Sequence, residues 1–233
     1  MRTVSLAALA AALALAPAAA PAQSPRKGSF ELGASQYRPD VDSEFAGATP
    51  YQDIFGSGRG WMFRIGVSRA LFTDFGSLEL GLRSGYFRDS GKGVFTDESG
   101  VSRPSGDKTT FNVIPTSLTL TYRFDWLADR YGIPLAPYGR AALERFNWFV
   151  TGGDGDWSEK GATNGWSATG GIAIMLDFFD GDAARALDRE TGINHTYLFF
   201  DVTKSWIDDF GSSKSWNLSD EKLSLAGGLL FVF

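Results

Sequence analysis

The sequence predicts an all-β fold: an eight-stranded antiparallel transmembrane β-barrel of the outer-membrane type, with one short periplasmic helix. Three observations predict it. Apolar residues recur at every second position in eight segments. The positions between them are small or charged. Past residue 22, no run of about 18 apolar residues offers a membrane-crossing helix. A chain that crosses a bilayer without helices must close its strands into a barrel, since an open edge leaves backbone groups unpaired in hydrocarbon.

The chain begins with Arg2, an apolar run VSLAALAAALALA and an Ala20-Pro21-Ala22 cleavage pattern. This reads as an export signal over 1–22, with a barrel domain over 23–233. Of the 233 residues, 43% are hydrophobic and 21% charged, which suits a single domain. Cysteine is absent, which excludes disulfides, a thiol nucleophile, Cys-ligated zinc and a lipid anchor on Cys. The net charge of −5, without a basic cluster in sequence, argues against a nucleic-acid partner.

The elements follow in order. FELGASQY (30–37) alternates Phe30 and Leu32 with Glu31 and Gly33. WMFRIGVSR (61–69) sets Trp61, Phe63, Ile65 and Val67 against Arg64, Gly66 and Ser68. SLELGLRSGYF (77–87) sets Leu78, Leu80 and Leu82 against Glu79, Gly81 and Arg83. SLTLTYRF (117–124) sets Leu118, Leu120 and Tyr122 against Thr119, Thr121 and Arg123, and Pro115 predicts an irregular start. PYGRAALERFNWFV (137–150) carries Arg140, Glu144 and Arg145, so one charge breaks parity and a bulge is expected. WSATGGIAIMLDF (166–178) sets Ile172, Ile174 and Leu176 against Gly171 and Asp177. TYLFFDV (196–202) sets Leu198, Phe200 and Val202 against Asp201. KLSLAGGLLFVF (222–233) sets Leu225, Leu229, Phe231 and Phe233 against Lys222, Ser224 and Gly228. Most of these segments are long enough for a tilted strand to cross a bilayer.

With the start of the mature chain in the periplasm, loops 38–60, 89–108, 151–164 and 205–220 face outward. The inner connections are 72–76, 125–135 and 180–193, the last holding a short helix over Ala183 to Arg189 that ends before Gly192. An interfacial belt of aromatics is expected from Trp61, Tyr86, Trp148, Trp166 and Trp206 at outer strand ends, and from Phe124, Trp126 and Phe178 at inner ones. The apolar face then looks at lipid. Glu31, Arg64, Glu79, Arg83, Arg123, Arg140, Asp177 and Asp201 fall in the lumen, where buried charges must pair.

Beyond periodicity, the chain resembles the small eight-stranded outer-membrane barrels. More specifically, it resembles an uncharacterised family of them best known from myxobacterial genomes. The pieces that carry this are PDVDSEFAGATPYQDIFG (39–56), IPLAPYGRAAL (133–143), the GW at 165–166 and LDRETGINHTYLFFD (187–201). The resemblance implies an outer-membrane location and no catalytic residues. It also implies that Leu229, Phe231 and the terminal Phe233 form the signal read by the outer-membrane assembly machinery.

Candidate chemistry is sparse. His195, the single histidine, is placed at the inner end of the seventh strand, with Asp208 and Asp209 at the opposite end and no dyad possible across the membrane. Asp40, Asp42 and Glu44 alternate in PDVDSEF and form a weak candidate for Ca²⁺, with an ordinary solvated rim paired to Arg38 or Arg59 as the competing reading. No phosphate-binding Gly-rich loop occurs and no cofactor is implied. The expected function is therefore a non-enzymatic outer-membrane barrel that contacts lipid and presents loops, with Trp157 and Trp216 as contact points for an unknown partner. A narrow channel, a lipid-modifying enzyme relying on His195 and a soluble lipocalin-like barrel are the alternatives.

Overall fold

Backbone pairing settles how the eight segments meet. The computed structural model describes residues 25–96, 102–152, 157–212 and 214–233; the expected export signal lies outside them. The strands are β1 (Gly28–Tyr37), β2 (Gly60–Phe72), β3 (Ser77–Thr96), β4 (Ser102–Arg123), β5 (Leu135–Thr151), β6 (Trp157–Met175), β7 (His195–Trp206) and β8 (Ser224–Val232). Each pairs antiparallel with its chain neighbours, and β1 pairs with β8, so the barrel closes without a free edge. The closing seam is pinned at the chain end. Lys27 N and Gly28 N donate to the Phe233 carbonyl at 2.6 and 2.9 Å, Phe233 N donates to the Gly28 carbonyl at 3.0 Å, and Phe30 stacks on Phe231.

The alternation read from sequence becomes a division between wall and lumen. Phe63, Val67, Leu82, Leu143 and Leu225 each expose more than half of their surface on the outside. Leu80, Leu120 and Leu229 look the same way, while Glu31, Glu79, Arg123 and Asp201 are buried inside. Apolar-out and polar-in is the reverse of a water-soluble barrel.

The lumen is layered. At the hairpin end, Tyr37, Met62, Phe87, Phe111, Val113, Phe146, Trp148, Ile207 and Leu218 form one buried cluster, joined by Val41 and Tyr51 from the connection after β1. At the terminal end, Ala136, Ala173, Met175, Tyr197, Phe199, Leu230 and Val232 form another. The charged side chains occupy the waist between them. These apolar plugs are the half of the inward face that period two did not reveal as apolar.

Several expectations need correction. Residues 89–108 and 151–164 are not loops for most of their length. β3 and β4 continue as a paired ladder to Thr96 and Ser102, and β6 starts at Trp157. A two-stranded ladder pairs its facing backbone groups and leaves the outer ones to water, so it can run past an apolar band on polar residues. Pro115 does not begin β4 but lies within it: its neighbours pair with β3 on either side, and Gly85 sits beside it, where a Cβ would meet Phe63 O at 2.4 Å. β5 needs no bulge across 138–150, because Arg140 and Glu144 share inward parity and Arg145 alone turns out. The short helix is present as Gly181–Thr191, with the Asp180 side chain accepting from Ala183 N at 2.9 Å and Gly192 left-handed after its end. Calling it α3, two six-residue helices precede it: α1 (Pro50–Phe55) and α2 (Trp126–Tyr131).

Candidate functional site

The waist of the lumen gathers most of the charged residues that the alternation placed inside. Glu31 is held by two arginines: Arg140 Nη2 donates to Oε2 at 2.6 Å, and Arg83 Nε lies 2.5 Å from Oε1. Arg123 donates to Glu79 at 2.7 Å and to Asp125 at 3.2 Å. Arg64 lies 3.6 Å from Glu144, and Asp201 accepts from Tyr138 OH at 2.7 Å. Serines complete the shells: Ser29 donates to Glu79 at 2.5 Å, Ser167 to Glu144 at 2.8 Å, and Ser117 also donates to Glu144. Gly66 makes room for this packing, since a Cβ there would stand 2.8 Å from Arg83 Cγ and 2.9 Å from Glu31 Cγ. Arginine faces tie the waist to the plugs, with Arg64 over the Phe146 ring at 5.8 Å and Arg123 over Tyr197 at 5.5 Å.

Two of these carboxylates were absent from the sequence-based set. Glu144 was obscured by the parity conflict within β5. Asp125 lies just past the end of β4, where period two no longer speaks. Asp177 belongs elsewhere than the waist. It lies in a 3₁₀ turn (Leu176–Phe178) at the terminal mouth, where its Oδ2 is 2.7 Å from His195 Nδ1 and its Oδ1 accepts from Thr196 N at 3.0 Å. The other ring nitrogen of His195 faces the Arg26 guanidinium at 3.2 Å, and Arg26 also reaches Asp125 at 3.4 Å. The histidine thus has a carboxylate partner that sequence reasoning missed, and a cation rather than a hydroxyl at Nε2. Asp208 and Asp209 follow the far end of β7, remote from it.

Among the aromatics, Trp61, Tyr86, Trp166 and Phe178 are exposed on the outside, and Trp166 stacks on the half-buried Trp206 at 4.0 Å. Phe124 and Trp126 join Phe75 in a ring cluster at the terminal end. Trp148 is the exception. It shares parity with Glu144 and Phe146, so it points inward and stacks on Trp216 at 4.2 Å instead of joining a belt. Trp216, expected as a free loop contact, is committed to that stack, and Trp157 begins β6.

The acidic stretch after β1 is engaged internally. Asp42 accepts from Tyr51 N at 2.7 Å and Gln52 N at 3.1 Å at the start of α1, and pairs with Arg38 at 3.3 Å. Arg38 also binds Glu221 at 2.7 Å, and Arg59 binds Asp220 at 2.7 Å. Burial raises the pKa of Asp40 and Glu44 above the ordinary carboxylate value. Among the described residues no three His, Asp or Glu groups come together as metal ligands.

The waist keeps two cavities, of about 30 and 10 Å³, lined respectively by Arg64, Arg83, Glu144 and Asp201 and by Glu31, Glu79, Arg123 and Arg140. The larger has room for a water or two and the smaller for one at most.

No known protein family and no curated protein matches the chain in sequence. Solved structures similar to it include two bacterial barrels. One is the N-terminal β-barrel domain of Pseudomonas aeruginosa OprF, at 16% identity and a TM-score of 0.39, covering 90% of this chain and 100% of that one. The other is Ail, the attachment invasion locus protein of Yersinia pestis, solved in complex with the heparin analogue sucrose octasulfate. It stands at 8% identity and a TM-score of 0.37, covering 89% of this chain and 97% of that one.

Proposed function

We propose that the protein is an integral barrel of the bacterial outer membrane, non-enzymatic, with a rigid plugged lumen that holds extended hairpins beyond the lipid for envelope structure, adhesion or partner docking. The observation that carries this reading is the outer wall. Large apolar side chains such as Phe63, Leu82, Leu143 and Leu225 expose more than half of their surface on every side of the barrel, while arginines and glutamates are enclosed. In water such a wall costs about 25 cal/mol per Å² of apolar surface, and lipid removes that cost.

The apolar run at 4–16 supports export. The terminal mouth then faces the periplasm and the hairpins face outward. Leu229 and Phe233, turned to lipid at the seam beside Phe231, fit a C-terminal assembly signal. Kinship with the myxobacterial barrel family rests on the motifs quoted above.

The detergent-purified protein is expected to run at a different gel mobility before and after boiling, as folded membrane barrels do. Release from membranes by carbonate alone would sink the membrane reading. The separate cavities in the waist speak against the channel alternative, and planar bilayers are expected to carry no current above background. The arginine at His195 Nε2 speaks against the histidine as a hydrolytic base.

A further inference from the structure

We propose that the outward wall of β3–β6 seats one phosphorylated saccharolipid of the outer leaflet, acyl chain below and phosphate above; this rests on the membrane reading. Two grooves on that wall carry the inference. The lower has a volume of about 400 Å³ and is lined by Leu80, Leu118, Leu120, Ala141, Leu143 and Trp166. The upper, about 360 Å³, is lined by Arg88, Lys108, Thr110, Asn112, Phe149 and Thr151. Both grooves lie on β3, β4 and β5, and the lower one reaches Trp166 of β6. On β5 the outward positions run Ala141, Leu143, Arg145, Asn147, Phe149, so the upper groove begins about 20 Å along the strand from Leu143.

The chemistry changes abruptly between them. Tyr86 on β3 and Leu143 on β5 are followed one outward position further, about 7 Å along each strand, by Arg88 and Arg145, and Phe149 is an apolar outward residue above Arg145 on β5. Lys92, Lys108 and Lys160 follow above, all exposed. Among the described residues no carboxylate occupies an outward position on these four strands, although the whole chain carries a net charge of −5. The acids beside these cations in sequence, Asp89 and Glu159, hold inward positions on β3 and β6, and Asp209 reaches this edge from the connection after β7. It accepts from Asn164 Nδ2 at 2.9 Å, while Asn164 Oδ1 accepts from Arg145 at 3.0 Å.

Arg88 and Lys108 supply a fork and a point charge for phosphate. Thr110 and Asn112, nearly buried in the groove floor, and Phe149 offer hydroxyl, amide and ring contacts to a sugar. The cations face sideways, in continuity with the lipid-facing wall. A molecule standing in the same membrane meets them with its tail already in the lower groove; a soluble partner arriving from above meets the hairpin tips first.

Native mass spectrometry of the full chain in detergent tests this, with phosphorylated lipid A, its dephosphorylated form and inorganic phosphate as probes. The phosphorylated lipid is expected to bind about tenfold more tightly than the dephosphorylated one, and Arg88→Gln/Lys108→Gln to abolish that difference. Leu143→Asn is expected to weaken both lipids alike. Equal affinity of the wild type for the two lipids, an unchanged preference in the double variant, or inorganic phosphate binding as tightly as the lipid would each overturn the seat. The boiling-dependent gel shift is run on every variant. A wild type without the shift removes the membrane reading itself; a normal shift without phosphate preference removes this proposal alone. If the double variant loses the shift, Lys108→Gln carries the same comparison.

Discussion

At the waist of the lumen, Arg123 lies between Glu79 and Asp125 with all three side chains almost wholly buried. At the hairpin end, Phe87 is equally buried, with its ring edge-on to Tyr37 at 4.9 Å and with Met62 and Phe146 in the same cluster. Both regions fill the same tube, yet they tolerate error differently. An apolar plug loses contacts in proportion to what is removed, because dispersion and burial are summed over many small terms. An ionic cluster in a low dielectric holds only while every member is present, since removing one leaves another charge buried and unpaired.

The largest expected effect breaks the waist. Arg123→Met leaves Glu79 without its cation and Asp125 with Arg26 alone, and should lower stability by about 3–5 kcal/mol, read from urea unfolding in detergent by tryptophan fluorescence. The same logic sharpens the contrast. Replacing the Arg83–Glu31–Arg140 group with Met, Leu and Met removes Glu31 together with both of its cations, leaves Asp201 to its Tyr138 hydrogen bond, and is expected to cost less stability than Arg123→Met. If the triple replacement is as damaging as Arg123→Met, the waist is not governed by pairing.

Next comes the plug. Phe87→Ala opens a cavity at the hairpin end and should cost about 3 kcal/mol by the same assay, without changing the dependence of stability on salt. A marked salt dependence of that loss would mean that plug and waist are not separable.

The smallest effect lies in the connection between β7 and β8, where Asp220 closes one side of the larger cavity. Burial pushes the Asp220 carboxyl above its ordinary value of 3.8, and Arg59 opposes the rise without cancelling it. The folded protein therefore holds this proton more tightly than the unfolded chain. This contribution falls as pH rises through the window that opens at 3.8 and closes at the raised value, and stays level above it. Asp220→Asn should remove that decline from the unfolding midpoint measured against pH; an identical profile in wild type and variant would refute the assignment.

Alternation alone determined the strand count and the face of each residue for Leu80, Leu120, Arg64 and Arg83, because Cβ direction reverses at every residue of an extended chain. Local cap chemistry, an Asp near the start and Gly192 after the end, determined the helix expected over Ala183 to Arg189, which runs over Gly181–Thr191 in the structure. Period two carries no information about height or about partners across the tube. Glu31 and Arg140 stand 109 positions apart, and only closure of the barrel brings them within 2.6 Å. The Trp148–Trp216 stack, the pairing of His195 with Asp177 and the continuation of β3 and β4 through polar sequence were decided in the same way. Each depends on what lies opposite once eight ribbons curl into one wall, and that is a property of register, not of the ribbon.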